Sequence, residues 1–350
     1  MAQPFDASRL QLTGEAFPIA EQVAINIGLA RAGFAVSHNG VLAYRTGGNT
    51  GNSQLAWFDR GGRQLGTIGP PGAYLNPKLS PDGRRVAVEQ VTANNRDIWI
   101  LEVERGIASR FTFDPADEYD PIWSPDGKQI AFVSKLNLYQ KPSSGAGTEE
   151  ILLKDGVGTT AHDWSSDGRF ITYRPVQGVY VWVLPLAGDP SAGSGQGRKP
   201  FPFLQTEYVV IQSQISPDGK WLAYLSLESG RYEVYVQSFP KPGAKWQIST
   251  TGAVQPRWRR DGKEIFYIAP DQKLMAAPIR GDGTLEVGAP QALFETRTVL
   301  GAGTAPYALQ QYDVAADGQR FLMNVTREGP AATAPITVVL NWQKAVTSGK

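Results

Sequence analysis

An all-β chain, folded as a single β-propeller of four-stranded antiparallel blades, is predicted by three observations. A turn phrase recurs along the chain, its spacing is that of a four-strand unit, and the strands beside it are apolar on both faces. The phrase is clearest as "SPDGRRVAV" from Ser80, "SPDGKQIAF" from Ser124 and "SPDGKWLAY" from Ser216. Looser copies are "SSDGRFITY" from Ser165, "RRDGKEIFY" from Arg259 and "AADGQRFLM" from Ala315, while "SHNGVLAY" from Ser37 is one residue shorter.

Each copy spells a hairpin. Pro81 presets φ for the second position of a type I turn, Asp82 tolerates the third and can bond back to the backbone, and Gly83 supplies the positive φ of a following bulge. A large apolar residue precedes the phrase (Val36, Leu79, Trp123, Trp164, Ile215, Trp258, Val314), and an apolar or aromatic run such as Ile130-Ala131-Phe132 follows it. The turn Asp, or Asn39 in the first copy, stands at 39, 82, 126, 167, 218, 261 and 317, with gaps of 43, 44, 41, 51, 43 and 56. A gap of that size holds two more strands. "DIWILEV" with "ASRFTF" and "YEVYVQSF" with "KWQIST" fill the role after the second and fifth hairpins, and "QLAWFDRGGRQLGTIG" fills it after the first.

On this spacing residues 1–350 form one propeller domain, with blades near 31–70, 74–114, 118–155, 159–206, 209–250, 253–296 and 308–343. Seven blades is the favoured count, with six or eight as alternatives. The two long gaps hold "GDPSAGSGQGRKP", a flexible loop over 188–200, and "TRTVLGAGTAPYA", a long connection before the last hairpin. The opening stretch "MAQPFDASRLQLTGEAFPIAE" echoes "MAAPIRGDGTLEVGAPQALFE" in the sixth unit, so residues 1–23 are expected to supply outer strands of the last blade. "APITVVLNW" would be that blade's third strand, and a strand near Phe17 to Val23 would close the ring and remove its exposed edges.

Composition narrows function. A core is affordable, at 41% apolar and 10% aromatic residues, and the net charge of +1 comes from scattered cations. No basic stripe is present to hold a phosphate backbone, so no nucleic-acid partner is expected. Cys is absent, which excludes disulfide and thiolate chemistry. "MAQPFDASRL" lacks the basic and apolar regions of a signal peptide, and no run of 18 apolar residues could span a bilayer, so a soluble monomer is expected.

Catalytic signatures are sparse. His38 lies in the first turn, and His162 adjoins Asp163 on an inner strand without a G-x-S-x-G elbow anywhere. No H-E-x-x-H or EF-hand spacing offers a metal site, "GSGQGRK" lacks the Gly-Lys-Ser/Thr ending of a phosphate loop, and the acidic run Asp114 to Asp120 reads as a solvated loop. No cofactor is expected.

Binding is better supplied. Four residues before each turn's first position stand Gly33, Asn76, Asp120, Ala161, Gln212, Gln255 and Gln311, at the start of the innermost strand. Hydrogen-bonding side chains at Asn76, Asp120, Gln212, Gln255 and Gln311, with His162, Arg257 and Tyr119 beside them, mark a channel mouth that could hold a peptide end, a sugar or another polar ligand. The plainer alternative is that these groups bond to channel water and to loop backbone.

The W-S-P-D-G-K-x-I-A-F phrasing of the copies at Ser80, Ser124, Ser165, Ser216 and Arg259 resembles the TolB-type, WD-like propeller repeats of bacteria over essentially the whole chain. "YLNPKLSPDG", "RDIWILEVERGIASRFTFDPADEYDPIWSPDG" and "ITVVLNW" look like the C-terminal propeller region of bacterial serine/threonine kinase-linked proteins. The resemblance implies a piece or relative of a larger signalling protein, set in the periplasm or elsewhere outside the cytoplasm. The chain has no Gly-rich loop with V-A-I-K, no H-R-D and no D-F-G, so kinase activity is not implied. The expected function is a non-catalytic scaffold or sensor binding a protein, peptide or small polar ligand. The alternative is a propeller-type hydrolase or lyase acting on a saccharide or peptide through His162, Asp163 and Asp120.

Overall fold

A computed structural model describes residues 2–16, 19–20, 23, 25–26, 31–45, 53–92, 95–154, 156, 158–186, 199–281, 284–298, 309–326 and 336–342. The chain divides into two compact units, Asn52–Thr326 and a second made of Met1–Gly51 with Arg327–Lys350.

The repeated phrase folds as its chemistry requires. In the copy at Ser80, the Gly83 N–H donates to Ser80 O at 2.8 Å, the Ser80 hydroxyl donates to Asp82 Oδ1 at 2.6 Å, and the Arg84 N–H donates to the same oxygen at 3.0 Å. Gly83 takes φ 70°, a conformation in which a Cβ is disfavoured. The same serine-to-aspartate bond recurs from Ser124 to Asp126, Ser165 to Asp167 and Ser216 to Asp218. That serine bond holds the Asp82 and Asp126 carboxyls below the usual carboxylate range.

Within Asn52–Thr326 the described strands build six antiparallel sheets. The first runs Tyr74–Leu79, Arg85–Val91, Arg96–Glu102, Ala108–Arg110, and the second Glu118–Trp123, Gln129–Ser134, Asn137–Pro142, Glu150–Leu153. The third runs Thr159–Trp164, Phe170–Pro175, Trp182–Pro185, Phe201–Pro202, and the fourth Val210–Ile215, Trp221–Ser226, Glu233–Ser238, Lys245–Gln247. The fifth runs Val254–Trp258, Glu264–Ile268, Lys273–Arg280, Gln291–Glu295, with Glu286–Val287 also on the long strand. The sixth joins Tyr312–Val314 and Arg320–Thr326 to Ser53–Asp59 and Gln64–Gly72. Each first-named strand packs on that of the next sheet, and Tyr312–Val314 packs on both Val254–Trp258 and Tyr74–Leu79, so the six sheets stand in cyclic order.

The cores lie between neighbouring sheets. Ala87, Ile98, Ile100 and Phe111 of the first meet Trp123, Ile130 and Phe132 of the second, and Leu55, Ile68 and Leu322 of the sixth meet Tyr74, Val86, Val88 and Leu101 of the first. Fully burying one such side chain stabilises by about 1.5–3 kcal/mol. Two-sided burial is why the inner strands carry apolar residues without alternation.

The expected propeller of four-stranded blades is present, and the described residues place several of the predicted strands in other sheets than expected. Among the described residues of Asn52–Thr326 stand six such sheets, five of four strands and one of five; seven blades were favoured and six was an alternative. The hairpin at Ser37 is not one of them: Phe34–Val36 pairs with Val41–Arg45, which pairs with Ile336–Leu340 in a three-stranded sheet of the other unit. The "APITVVLNW" stretch therefore serves that sheet and not the last hairpin. The outer half of the sixth sheet comes from "QLAWFDRGGRQLGTIG", which pairs Phe321 with Phe58, Leu322 with Trp57 and Met323 with Ala56, and not from residues 1–23. The reason is apolar match. Leu55 and Ala56 are wholly buried there, whereas the N-terminal Phe5–Asp6 and Gln11–Leu12 are two-residue strands with Phe5 and Leu12 exposed. The proposed closing strand near Phe17 to Val23 and most of the loop 188–200 lie outside the described residues.

Candidate functional site

The innermost strands carry an irregularity at the positions singled out in the sequence. Pairing with the second strand shifts register between Tyr119 and Ile122, Ala161 and Asp163, Ile211 and Gln214, and Val254 and Arg257. At these bulges Asp120, Gln212 and Gln255 adopt φ 54°, 51° and 58°, and Asn76 adopts φ 48° in the first sheet. Left-handed backbone is unfavourable for a residue with a Cβ, so something must hold it.

What holds it is a collar of bonds between sheets. Gln212 Oε1 accepts from the Gln255 N–H at 2.8 Å, Gln255 Oε1 from the Gln311 N–H at 2.6 Å, and Asn76 Oδ1 from the Gln310 N–H at 2.5 Å. The Asn76 amide donates to Asp120 Oδ1 at 3.0 Å, and the buried Glu89 accepts from both the Asn76 amide and the Asp120 N–H. Burial, with Glu89 beside it, pushes the Asp120 carboxyl well above its ordinary range. Arg257 is 2% exposed and lies 3.5 Å from Asp313, and Tyr119 lies under the Arg96 guanidinium at 5.7 Å. Burial raises the Tyr119 hydroxyl to about 12.

At this level the channel is almost shut. A cavity of 20 Å³ is lined by Asn76, Lys78, Asp120, Thr160, His162, Gln212, Ser213 and Gln310, among others. That is room for one water, with Gln212 Nε2 lacking a protein partner to receive it. His162 Nδ1 lies 2.9 Å from Ser213 Oγ, a serine–imidazole contact. Its other nitrogen faces the Thr160 hydroxyl at 3.3 Å and no carboxylate, and burial, then the Arg174 and Lys78 charges, lower its pKa to about 3. An imidazole this weak as a base, beside a serine that no substrate can reach, does not meet the geometry of nucleophilic catalysis.

Two residues further along the same strands the channel opens. A cavity of 510 Å³ lies on the rim of the repeated turns, bounded by Pro81, Pro125, Ser166, Pro217, Arg260 and Ala316. Its walls include Trp57, Trp123, Trp164 and Trp258, and its floor Lys78, Asp163, Gln214 and Asp313. The walls are fixed: Trp123 Nε1 donates to Lys78 O at 3.0 Å and Trp258 Nε1 to Gln214 O at 3.2 Å. The floor repeats the collar's device. Asp163 Oδ2 accepts from the Ile215 N–H at 2.8 Å, Gln214 Oε1 from the Trp258 N–H at 2.5 Å, and Asp313 Oδ2 from the Leu79 N–H at 2.7 Å. Arg260 reaches across the small Ala315-Ala316 turn to donate to Pro81 O, drawing in one side of the mouth.

Lys78 is the chemically open group. Burial, then repulsion from Arg257, lowers its ammonium to about 8 against the pull of Asp313, Asp163 and Asp120. Burial likewise raises Asp163 to about 6, outweighing Lys78 and the Ile215 N–H. Lys78, Gln214 and Asp313 escaped the sequence reading, although they lie two positions beyond Asn76, Gln212 and Gln311. Period-two alternation would have pointed to them. Among the described residues, no three Asp, Glu, His or Cys side chains converge as a metal site, and no helix is long and apolar enough to cross a membrane.

Comparison with known proteins agrees with this architecture. Residues 49–183 match the family model of the TolB beta propeller domain. An uncharacterized peptidase of Bacillus subtilis is 26% identical over 43% of this chain and 29% of its own length, and an uncharacterized protein of Agrobacterium fabrum is 24% identical over 47% and 55%. A tricorn protease homolog of Streptomyces coelicolor is 28% identical over 32% of this chain and 11% of its own length. The match thus covers less than two thirds of each of these relatives. Among solved structures, a putative TolB from Agrobacterium tumefaciens is similar at TM-score 0.61 and 19% identity, over 79% of this chain and 99% of that one. TolB from Acinetobacter baumannii gives 0.52 at 18% identity over 71% and 68%, and a puromycin-hydrolyzing peptidase of Mycobacterium tuberculosis gives 0.50 at 16% over 75% and 46%. At these identities the likeness is one of fold.

Proposed function

Because this chain is a TolB-like β-propeller, we propose that it works as a recognition module whose turn-rim funnel receives a polar ligand, foremost a peptide segment of a partner protein. The observation that carries the reading is the 510 Å³ funnel, with rigid tryptophan walls above a charged floor. Indole faces supply contact area at little entropic cost, and a floor of one ammonium, two carboxylates and an amide supplies orientation. The collar below, including Asn76, Asp120, Gln212, Gln255 and Gln311, serves as the plug that positions this floor. His162 belongs to the same plug, which weighs against the hydrolase or lyase reading. The setting that goes with this role is outside the cytoplasm, with the ring as one part of a longer signalling protein.

Four tryptophans line the site, so occupancy has an intrinsic readout. Titrating a panel of short synthetic peptides and saccharides while following tryptophan fluorescence and thermal unfolding should give saturable shifts that Lys78→Met and Trp164→Ala abolish. Shifts unaffected by either variant would place the site elsewhere. Turnover of any panel member that is lost in Ser213→Ala would instead establish the hydrolase reading.

A further inference from the structure

The funnel narrows to a stop. Its floor adjoins the 20 Å³ cavity of the collar, and Lys78 lines both spaces. A space with room for one water blocks a polypeptide, so no peptide threads the axis at this level. What reaches the floor is therefore a chain end or a single side chain. Which chemical group it carries depends on the polar atoms left uncommitted there.

One position of the repeat builds this floor. Two residues before each turn phrase stand Lys78, Ile122, Asp163, Gln214, Arg257 and Asp313. Most acceptors among them are committed to backbone. Asp313 takes the Leu79 N–H at 2.7 Å on one carboxylate oxygen and the Val314 N–H at 2.9 Å on the other. Asp163 takes the Ile215 N–H on Oδ2 at 2.8 Å, which leaves it one oxygen.

The donors are not committed. Gln214 and Lys78 both line the open cavity. The Trp258 N–H occupies Gln214 Oε1, and the NH2 end of that amide donates to nothing among the described residues. Nor does the Lys78 ammonium. Arg257, 2% exposed, has its Nε 3.5 Å from Asp313 and its Nη2 without a hydrogen-bond partner, and its charge repels the Lys78 ammonium. Two cations and an amide donor thus stand against one free carboxylate oxygen. A ligand that accepts hydrogen bonds and carries negative charge suits that balance.

We propose, on the basis of the recognition role above, that the floor binds the free α-carboxylate of a peptide C-terminus. Lys78 is its counter-charge and the Gln214 amide a second donor. The last side chains of the peptide lie against Trp123, Trp164 and Trp258, and the rest of the chain leaves by the mouth. A hydrogen bond between charged partners is about twice as strong as a neutral one, so the carboxylate fixes the register of whatever follows it. An acidic side chain carries the same group, but on a chain with two arms to fit into the narrow end, where a terminus has one.

The test uses short peptides with apolar last residues, each made as the free acid, the C-terminal amide and the N-acetylated free acid. They are titrated into the full chain while tryptophan fluorescence is followed. Both free acids are expected to bind alike and at least about tenfold tighter than the amide, the effect of one hydrogen bond to a charged group. An amidated peptide ending in Asp or Glu should bind no better than the plain amide. Gln214→Glu keeps an acceptor for the Trp258 N–H and replaces the open donor with a carboxylate oxygen, so it should fold, as thermal unfolding checks, and erase the advantage of the free acid. Acid and amide binding equally, with Trp164→Ala weakening both, overturns the carboxylate and leaves the recognition role standing. Loss of binding on N-acetylation would assign the floor to an amine at Asp163, and rescue by the amidated acidic peptide would assign it to a side chain. An acid advantage that survives Gln214→Glu also overturns the proposal, and a saturable response to no peptide overturns it together with the role it rests on.

Discussion

The collar and the funnel are cut from the same six strands two residues apart, yet one is closed and the other open. In the collar, each amide side chain from a left-handed bulge meets an adjacent sheet's backbone, and the cavity left is 20 Å³. In the funnel the same kind of latch runs through Asp163, Gln214 and Asp313, but the strands splay toward the turns and tryptophans line the widening space of 510 Å³. The difference teaches that polar side chains near a propeller axis are first of all the joints of the ring. They become a binding surface only where their unused atoms face open volume, as Lys78 does.

The largest expected effect breaks a joint at the floor. Asp313→Ala removes the acceptor of the Leu79 and Val314 N–H groups and strands the buried Arg257. Removing one partner of a buried pair costs about 3–5 kcal/mol. Chemical unfolding monitored by tryptophan fluorescence reads this directly, and a loss under 1 kcal/mol would mean that Arg257 is satisfied by water.

A collar joint should cost less. Gln255→Ala leaves the Gln311 N–H without its acceptor and puts alanine at φ 58°, for a loss of about 1–3 kcal/mol. Gln255→Gly should recover part of it by relieving the backbone. If alanine and glycine behave alike, the bulge carries no strain.

Substitutions at the open group should leave the joints intact. Lys78→Met removes a half-buried ammonium that donates no side-chain hydrogen bond among the described residues, and it should leave the unfolding midpoint unchanged or slightly raised while abolishing funnel occupancy. A clear drop in stability would reclassify Lys78 as a joint.

The last effect appears only when pH is varied. Asp163 titrates near 6 in the folded chain and near 3.8 when unfolded, so the folded state binds the extra proton and stability falls as pH rises between those values. Lys78 titrates near 8 folded and 10.5 unfolded, so stability rises with pH between those values. Asp163→Asn should flatten the acid limb alone, as measured by midpoints across the range.

Much of this was legible in the chain. The Ser-Pro-Asp-Gly turns, the apolar runs after them and the amides at 76, 212, 255 and 311 are local signals, because turn geometry and strand period act over a few residues. Local signals mislead where partners are distant. "QLAWFDRGGRQLGTIG" reads as the second half of whichever hairpin stands beside it, and only packing shows that it completes the sheet begun at Tyr312. Nothing in "HNGVLAY" says that its strand pairs with Ile336–Leu340.

By itself, the order of residues determined an all-β architecture of clasped strand pairs, with polar side chains at the axial ends of the inner strands. Turns and alternation are written in short-range stereochemistry, which needs no knowledge of neighbours. Tertiary structure decided that "QLAWFDRGGRQLGTIG" completes the sheet begun at Tyr312 and that the amides knit sheets together below a tryptophan funnel. Those outcomes depend on which surfaces meet across more than two hundred residues, where burial and the need to pair buried polar groups choose among arrangements that local propensity leaves equal.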